Sequence, residues 1–318
     1  HRVSSTVVRM LALLRWLCLS LLCGGALGVA VPRVTVRRAA DGASVALDEA
    51  IADAGGRTLV VYGTYAADFN MIEYAQQARY YWPELQACGI SRALLIVNSP
   101  PAAAAKLREL LDLPEELELL SDESGEAGRG FAVGRGWLPD QDSLKIGDSG
   151  LSLPLSPYFK LLGMLVGLGA SGTLPSVIAG YIGNPSGVHG WIESALAQGA
   201  VAGRWPSNAV ETDASGKVVN KFDELPLVSK WGRRPLELAT LRLQNMIGVS
   251  LANWGDLKPT DKRCLTQLGG CAVYTCRKDD APLFEWRDNG ICGVVRFSDM
   301  IKSLPPVKKE VQPAATAK

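Results

Sequence analysis

The apolar positions of this 318-residue chain fall in short unbroken runs, separated by stretches in which they recur every three or four residues. Residues 57–63, RTLVVYG, form the first clear run and end on glycine, the mark of a strand buried on both faces. Beyond it, apolar positions 72, 75, 78, 82 and 85 share one helix face, and Asn70 with Glu73 gives a capping-box-like start. Pro83 falls inside that pattern and predicts a kink about three turns into the helix. Residues 91–97, SRALLIV, repeat the strand pattern. Ser99 and the prolines at 100 and 101 open a second helix through LRELLDL, and Leu117 to Leu120 make a third short strand. Three such strands joined by helices imply a parallel sheet with right-handed crossovers, an α/β arrangement. Near the C-terminus the pattern changes. GGCAVYTC (269–276) and PLFEWRD (282–288) are β-rich runs joined by the polar turn RKDDA, and a short helix around SDMIKSL follows.

About 120 residues separate the two parts. Within them 161–183, LLGMLVGLGASGTLPSVIAGYIG, carries no charge but holds six glycines and Pro175. Its length could span a bilayer. The glycines and the proline instead predict two short helices that are buried or covered by a partner. Further helices are expected around 189–200 and through PLELATLRLQNMIGV. At the other extreme, MLALLRWLCLSLLCGGALGVAVPRV from Met10 has an apolar centre, small residues near its end and no acid, as a cleaved hydrophobic presequence does. The basic, acid-free VPRVTVRRAA after it fits the second stage of a plastid route; secretion, the ER lumen or an uncleaved anchor are the alternatives. The organisation expected is therefore a targeting presequence over 1–40, an α/β part over 44–140, a helical insertion over 141–260, a hairpin and helix over 261–304, and a disordered tail over 305–318.

Charge adds one exclusion. Thirty-three Lys and Arg against thirty-two Asp and Glu give +1, with no basic stretch interleaved with aromatics, so nucleic acid is not an expected partner. Only two histidines are present, His1 and His189, and a lone His189 before Gly190 and Trp191 reads as a helix-start residue. Five cysteines lie outside the presequence: Cys88, Cys264, Cys271, Cys276 and Cys292. An odd number without a CxxC pair argues against a full disulfide framework. Zinc is not expected either, because those cysteines lack a C-x(2–4)-C knuckle. Gly167-Leu168-Gly169-Ala170-Ser171-Gly172 matches GxGxxG, but Pro175 interrupts the helix that a dinucleotide site needs, so no cofactor is expected. Trp82, Trp137, Trp231, Trp254 and Trp286 read as core residues.

Four stretches carry a resemblance: LVVYGTYAADFNMIEYAQQARYYWPELQACGI, LLDLPEELELLSDESGEA, RPLELATLRLQNMIG and LTQLGGCAVYTCRKDDAPLFEWRDNGI. Over roughly 57–140 and 232–303 the chain resembles the peroxiredoxin-like AhpC/TSA antioxidant proteins of the thioredoxin superfamily, in the branch that includes chloroplast members. The resemblance implies a thioredoxin-like fold, which the order β-α-β-α-β followed by β-β-α also satisfies. In redox-active relatives a thiol sits at the helix N-terminus after the first strand, where unpaired N–H groups and the helix dipole stabilise the thiolate. Here the two cysteine positions fall on Ala67 and Asn70, within Ala67-Asp68-Phe69-Asn70, and both thiols are missing. Asp68 and Asn70 are expected to act as helix caps, with the dipole making Asp68 a weaker base. Where thioredoxins carry a cis-proline, Leu268-Gly269-Gly270-Cys271 stands, so Cys271 is the redox candidate expected closest to the old site. Cys276 or Cys292 would be its resolving partner, although a spacing of five sets Cys271 and Cys276 on opposite strand faces. The alternative is that all three are small buried residues.

Two roles follow as expectations. One is an antioxidant protein using a relocated thiol, which would need a thioredoxin-type reductant. The other, favoured by the missing loop cysteines, is a redox-inactive structural or accessory subunit docked through 161–183 on a plastid (thylakoid) membrane complex or another protein partner.

Overall fold

In the computed structural model, residues 31–146, 151–178, 190–202, 210–212, 218–220, 235–277 and 280–307 are described. The run RTLVVY becomes β3 (Arg57–Tyr62), an interior strand of a seven-stranded sheet. On one side it pairs in parallel with β4 (Ile90–Val97), which pairs in parallel with β5 (Leu117–Ser121). On the other it pairs antiparallel with β10 (Gly270–Tyr274), which carries β11 (Phe284–Arg287) as its hairpin partner. The sheet ends, beyond β5, in β1 (Thr35–Arg38) and β2 (Ser44–Ala46), both antiparallel to their neighbours. This strand order, with helices on both faces, is a thioredoxin-like fold with a large insertion between its two parts.

Because both faces are covered, the central strands read as continuous apolar runs whose alternate residues feed two cores. Leu59, Val61, Leu95, Leu119, Cys271 and Val273 point to one, under α2 (Phe69–Tyr80), α4 (Pro101–Leu111) and α11 (Phe297–Ser303). Val60, Tyr62, Leu94, Ile96, Leu120 and Tyr274 point to the other, under α1 (Leu47–Ala52) and α5 (Glu126–Gly130). In the second core the buried Tyr62 and Tyr274 hydroxyls are 3.0 Å apart, and Tyr62 stacks on Phe131 at 4.2 Å.

Two expectations need correction. The stretch VPRVTVRR, assigned with the presequence 1–40, forms the far side of the sheet: Val31 and Val36 are buried, and Arg38 reaches Glu118 at 3.0 Å. Alternation of Val with Thr and Arg is a half-buried strand pattern as well as a basic composition, and the pairing with β5 decides between them. The insertion is also not wholly helical. It holds two antiparallel ribbons, β6 (Ser143–Ile146) with β7 (Leu151–Pro154) and β8 (Val210–Thr212) with β9 (Val218–Asn220). Its helices are α6 (Pro157–Leu165), α7 (Thr173–Val177), α8 (Gly190–Val201), α9 (Pro235–Ser250) and α10 (Trp254–Leu257). The charge-free stretch thus splits as its glycines predict, at Gly167 and Gly169, whose φ values are 97° and 64°. No strand precedes that GxGxxG; α6 does. Among the described residues no helix is long and apolar enough to cross a membrane. His189, Trp231 and residues 308–318 lie outside the described residues. The kink predicted at Pro83 is a break: α2 stops at Tyr80 and α3 (Trp82–Ala87) restarts with the proline in its first turn.

Helix α2 carries Glu73, Gln76 and Gln77, yet all three are buried. The insertion explains it. Arg242 of α9 pairs with Glu73 at 2.7 Å while its guanidinium lies 4.2 Å from the Trp191 ring of α8, and Gln76 bonds Asn245 at 3.3 Å. Helix α2 is therefore enclosed between the sheet and the insertion, and its polar residues find partners on both sides.

Candidate functional site

The candidate site is the loop between β3 and α2, where the resemblance implies thiol chemistry. Its path is fixed locally. Gly63 lies so close to Ile96 that a Cβ would fall 2.5 Å from the Ile96 carbonyl oxygen, Ala66 donates to the Ser99 hydroxyl at 3.0 Å, and Tyr65, Ala66 and Ala67 are buried. The N-cap is Asp68, whose Oδ1 accepts from the Asn70 N–H at 2.7 Å. Asn70 is not a cap, contrary to expectation, because it already lies inside the helix. The expectation that Asp68 is a weaker base is also overturned: burial raises its carboxyl from 3.8 to about 6, against the lowering effect of the Asn70 N–H. The buried Thr64 hydroxyl faces the carboxyl without a well-formed hydrogen bond.

Asn70 instead ties α2 to the segment after β11. Its Nδ2 donates to Asp288 Oδ2 at 2.9 Å and to the Gly290 carbonyl at 3.3 Å, while its Oδ1 accepts from the Cys292 N–H at 2.7 Å. One turn on, the Tyr74 hydroxyl donates to Asp288 Oδ1 at 2.6 Å. Gln77, a further turn along, donates to the Val295 carbonyl and accepts from the Phe297 N–H. Asn70, Tyr74 and Gln77 share one face by their i, i+4, i+7 spacing, and that face clamps residues 288–297. Asp288 is 3% exposed, and burial pushes its carboxyl from 3.8 to about 7 despite its two hydrogen bonds. Gly269 makes room for it, since a Cβ there would lie 2.9 Å from Asp288 Oδ2 and 3.1 Å from the Tyr62 carbonyl oxygen. The segment around Gly269 contains no cis peptide.

The candidate cysteines divide by environment. Cys271 is fully enclosed beneath Tyr74, and burial together with the Asp288 carboxyl holds its thiol well above the usual range. A nucleophilic thiol needs the opposite shift. Cys276 is exposed past the end of β10. Cys292 is half-buried beside Asn70, in a left-handed conformation with φ of 63°. Among the described residues Cys88, Cys264, Cys271 and Cys276 are free thiols, and burial pushes the Cys264 thiol up to about 12. No group of three or more candidate metal ligands occurs among the described residues.

Above the loop lies a cavity of about 420 Å³. Tyr65, Ala67, Asp68 and Phe69 form its floor. Tyr158, Leu161 and Leu165 of α6 and Leu251 and Trp254 after α9 form its walls. Trp254 stands perpendicular to Tyr65 with ring centres 6.0 Å apart, and Tyr158 lies 6.2 Å from Trp254. The insertion thus builds an open-sided pocket over the face at which a thioredoxin-like loop would meet a substrate. This pocket was not foreseen from the sequence, nor was Asp288, which reads as the last residue of the β-rich run PLFEWRD. The one sequence signal for the clamp is the polar stripe of Asn70, Tyr74 and Gln77.

No protein-family model matches the chain, and no curated protein matches it. Among solved structures it is similar to peroxidoxin BcpB from Mycobacterium tuberculosis, at 18% identity over 41% of this chain and 73% of that one, with a TM-score of 0.29. A likeness so slight has no bearing on the site.

Proposed function

We propose that this chain is a peroxiredoxin-like, thioredoxin-fold protein in which the loop face serves recognition in place of thiol peroxidase chemistry. The observation that carries the reading is the fate of position 70. Of the two residues standing where cysteines would be, Ala67 has no reactive group and Asn70 is an amide whose oxygen and nitrogen are both committed to Asp288, Gly290 and Cys292. The thiol expected to have taken over, Cys271, is enclosed and held protonated.

The proposed setting is that of an accessory subunit docked on an apolar protein surface of a plastid membrane complex. Supporting this, the insertion exposes Phe159, Leu162, Val166, Leu174 and Ile178, each more than half exposed, within one short segment. Exposed apolar side chains gathered in one segment suit a partner. Between 157 and 178 the sole charge is Lys160, itself buried, so this segment carries no exposed basic residue of its own of the kind by which amphipathic helices adsorb to anionic lipid. A protein partner is the better fit.

The test is a peroxide pulse on the folded chain, followed by differential thiol labelling and peptide mass spectrometry. Cys264 and Cys271 are expected to stay reduced, with no sulfenate or disulfide that a thioredoxin recycles. Rapid, recyclable oxidation of any cysteine would overturn the redox-inactive reading. For docking, Leu162→Asp is expected to release the chain from the membrane-complex fraction, and unchanged co-sedimentation would refute the assigned surface.

A further inference from the structure

Resting on the reading of the loop face as a recognition site, we infer that the cavity above Asp68 binds a small alkylated ammonium cation, held by the Asp68 carboxylate and the surrounding aromatic rings. Three observations converge on that ligand class. First, Asp68 has no cationic partner among the described residues: its one side-chain hydrogen bond comes from the Asn70 N–H. No Lys, Arg or His lines the cavity. Anionic ligands would meet uncompensated negative charge there, while a cation would supply the missing counter-charge.

Second, four aromatic residues line the same space. Tyr65, Phe69, Tyr158 and Trp254 contribute, with Trp254 at right angles to Tyr65 and tilted by 57° to Tyr158. Aromatic rings lining a pocket beside a carboxylate attract a cation through the ring quadrupole. Third, the remaining lining is Ala67, Leu161, Leu165, Ser250, Leu251 and Ile291. A primary ammonium would lose its hydration there without enough acceptors to replace it. An ammonium whose charge is spread over methyl or methylene groups is cheaper to desolvate and fills apolar walls. At about 420 Å³ the cavity is of small-molecule size.

Other charged groups near the cavity leave this sign unchanged. Asp288 lies behind the loop and adds negative potential only once it ionises above about 7, burial keeps the Tyr65 hydroxyl protonated, Asp256 of α10 is exposed, and Lys160 of α6 does not line the space.

The test is isothermal titration calorimetry of the full chain with choline and with its neutral isostere 3,3-dimethyl-1-butanol. Choline is expected to bind at pH 8 at least about tenfold more tightly than the isostere, and to weaken about tenfold at pH 5, as the Asp68 carboxyl takes up its proton near 6. Asp68→Asn keeps a side-chain oxygen for the cap. It should lose the preference for choline while circular dichroism shows an intact fold, and Trp254→Leu should weaken choline independently. The inference is overturned if choline gives no binding, if the isostere binds as tightly, or if Asp68→Asn binds choline like the native chain. Thiol labelling of the same preparation separates the two readings: a peroxide-reactive cysteine sinks redox inactivity without affecting the choline result, and absent choline binding leaves redox inactivity standing.

Discussion

Asp288 gives the sharpest quantitative prediction. In the unfolded chain its carboxyl titrates at its ordinary 3.8, and in the fold burial holds it at about 7. Between those values the native state binds the extra proton. Its contribution to stability is therefore fully present below about 3.8 and is lost as pH rises through about 7. Between pH 5 and pH 8 that amounts to about 2 to 3 kcal/mol, at 1.36 kcal/mol per unit. Asp288→Asn removes the titration while keeping the side-chain shape. It also mismatches one of the two hydrogen bonds from Tyr74 and Asn70, a pH-independent cost of about 1 to 2 kcal/mol. The native chain should thus be the more stable at pH 5, and its advantage should shrink by about 2 to 3 kcal/mol by pH 8, enough to cancel or invert it. Asp68, raised for the same reason, contributes a parallel slope in both chains and largely cancels. Urea unfolding of both chains at pH 5, 6, 7 and 8, followed by far-ultraviolet circular dichroism, measures the difference. A difference that stays flat or widens with pH would refute the account of a buried, proton-holding Asp288.

Three further outcomes are expected. Arg242→Met removes the guanidinium from Glu73 and from the Trp191 ring and should lower stability by about 3 kcal/mol, read by urea unfolding; a change below about 0.5 kcal/mol would mean that α9 does not hold α2. Gly269→Ala drives a methyl against Asp288 and the Tyr62 carbonyl and should cost about 1 to 3 kcal/mol, whereas an unchanged melting temperature would count against that close approach. A fluorescent fusion of residues 10–50 is expected in the plastid, and its appearance outside the cell would sink that proposal.

The sheet was legible because its evidence is local. RTLVVY, SRALLIV and GGCAVYTC each hold a near-continuous apolar run, the pattern of strands covered on both faces. The break near Pro83 and the split at the glycines of 161–183 likewise follow from backbone chemistry within a few residues. What stayed hidden depends on partners far along the chain. Asp68 read as a solvated cap until α6 and Trp254 were seen to roof it, which turns a lowered carboxyl into a raised one. Asp288, 218 residues beyond Asn70, looks like the end of a β-rich run until the clamp encloses it. Val36 failed differently: its strand is locally visible, but the neighbouring arginines fit a targeting peptide equally well, and only Glu118 on another strand resolves Arg38.

The Asn70 clamp also bears on reversibility. A single Asn70→Cys change would return a thiol to the helix N-terminus, yet sulfur is too weak a donor and acceptor to hold Asp288, Gly290 and Cys292 together. A mutational step toward thiol chemistry at this loop would therefore loosen residues 288–297 and strand a buried carboxyl before any catalytic gain existed. A lineage that had acquired this arrangement would be held in it by its own stability, whatever selection later favoured. Restoring a working thiol would require rebuilding the opposite loop at the same time.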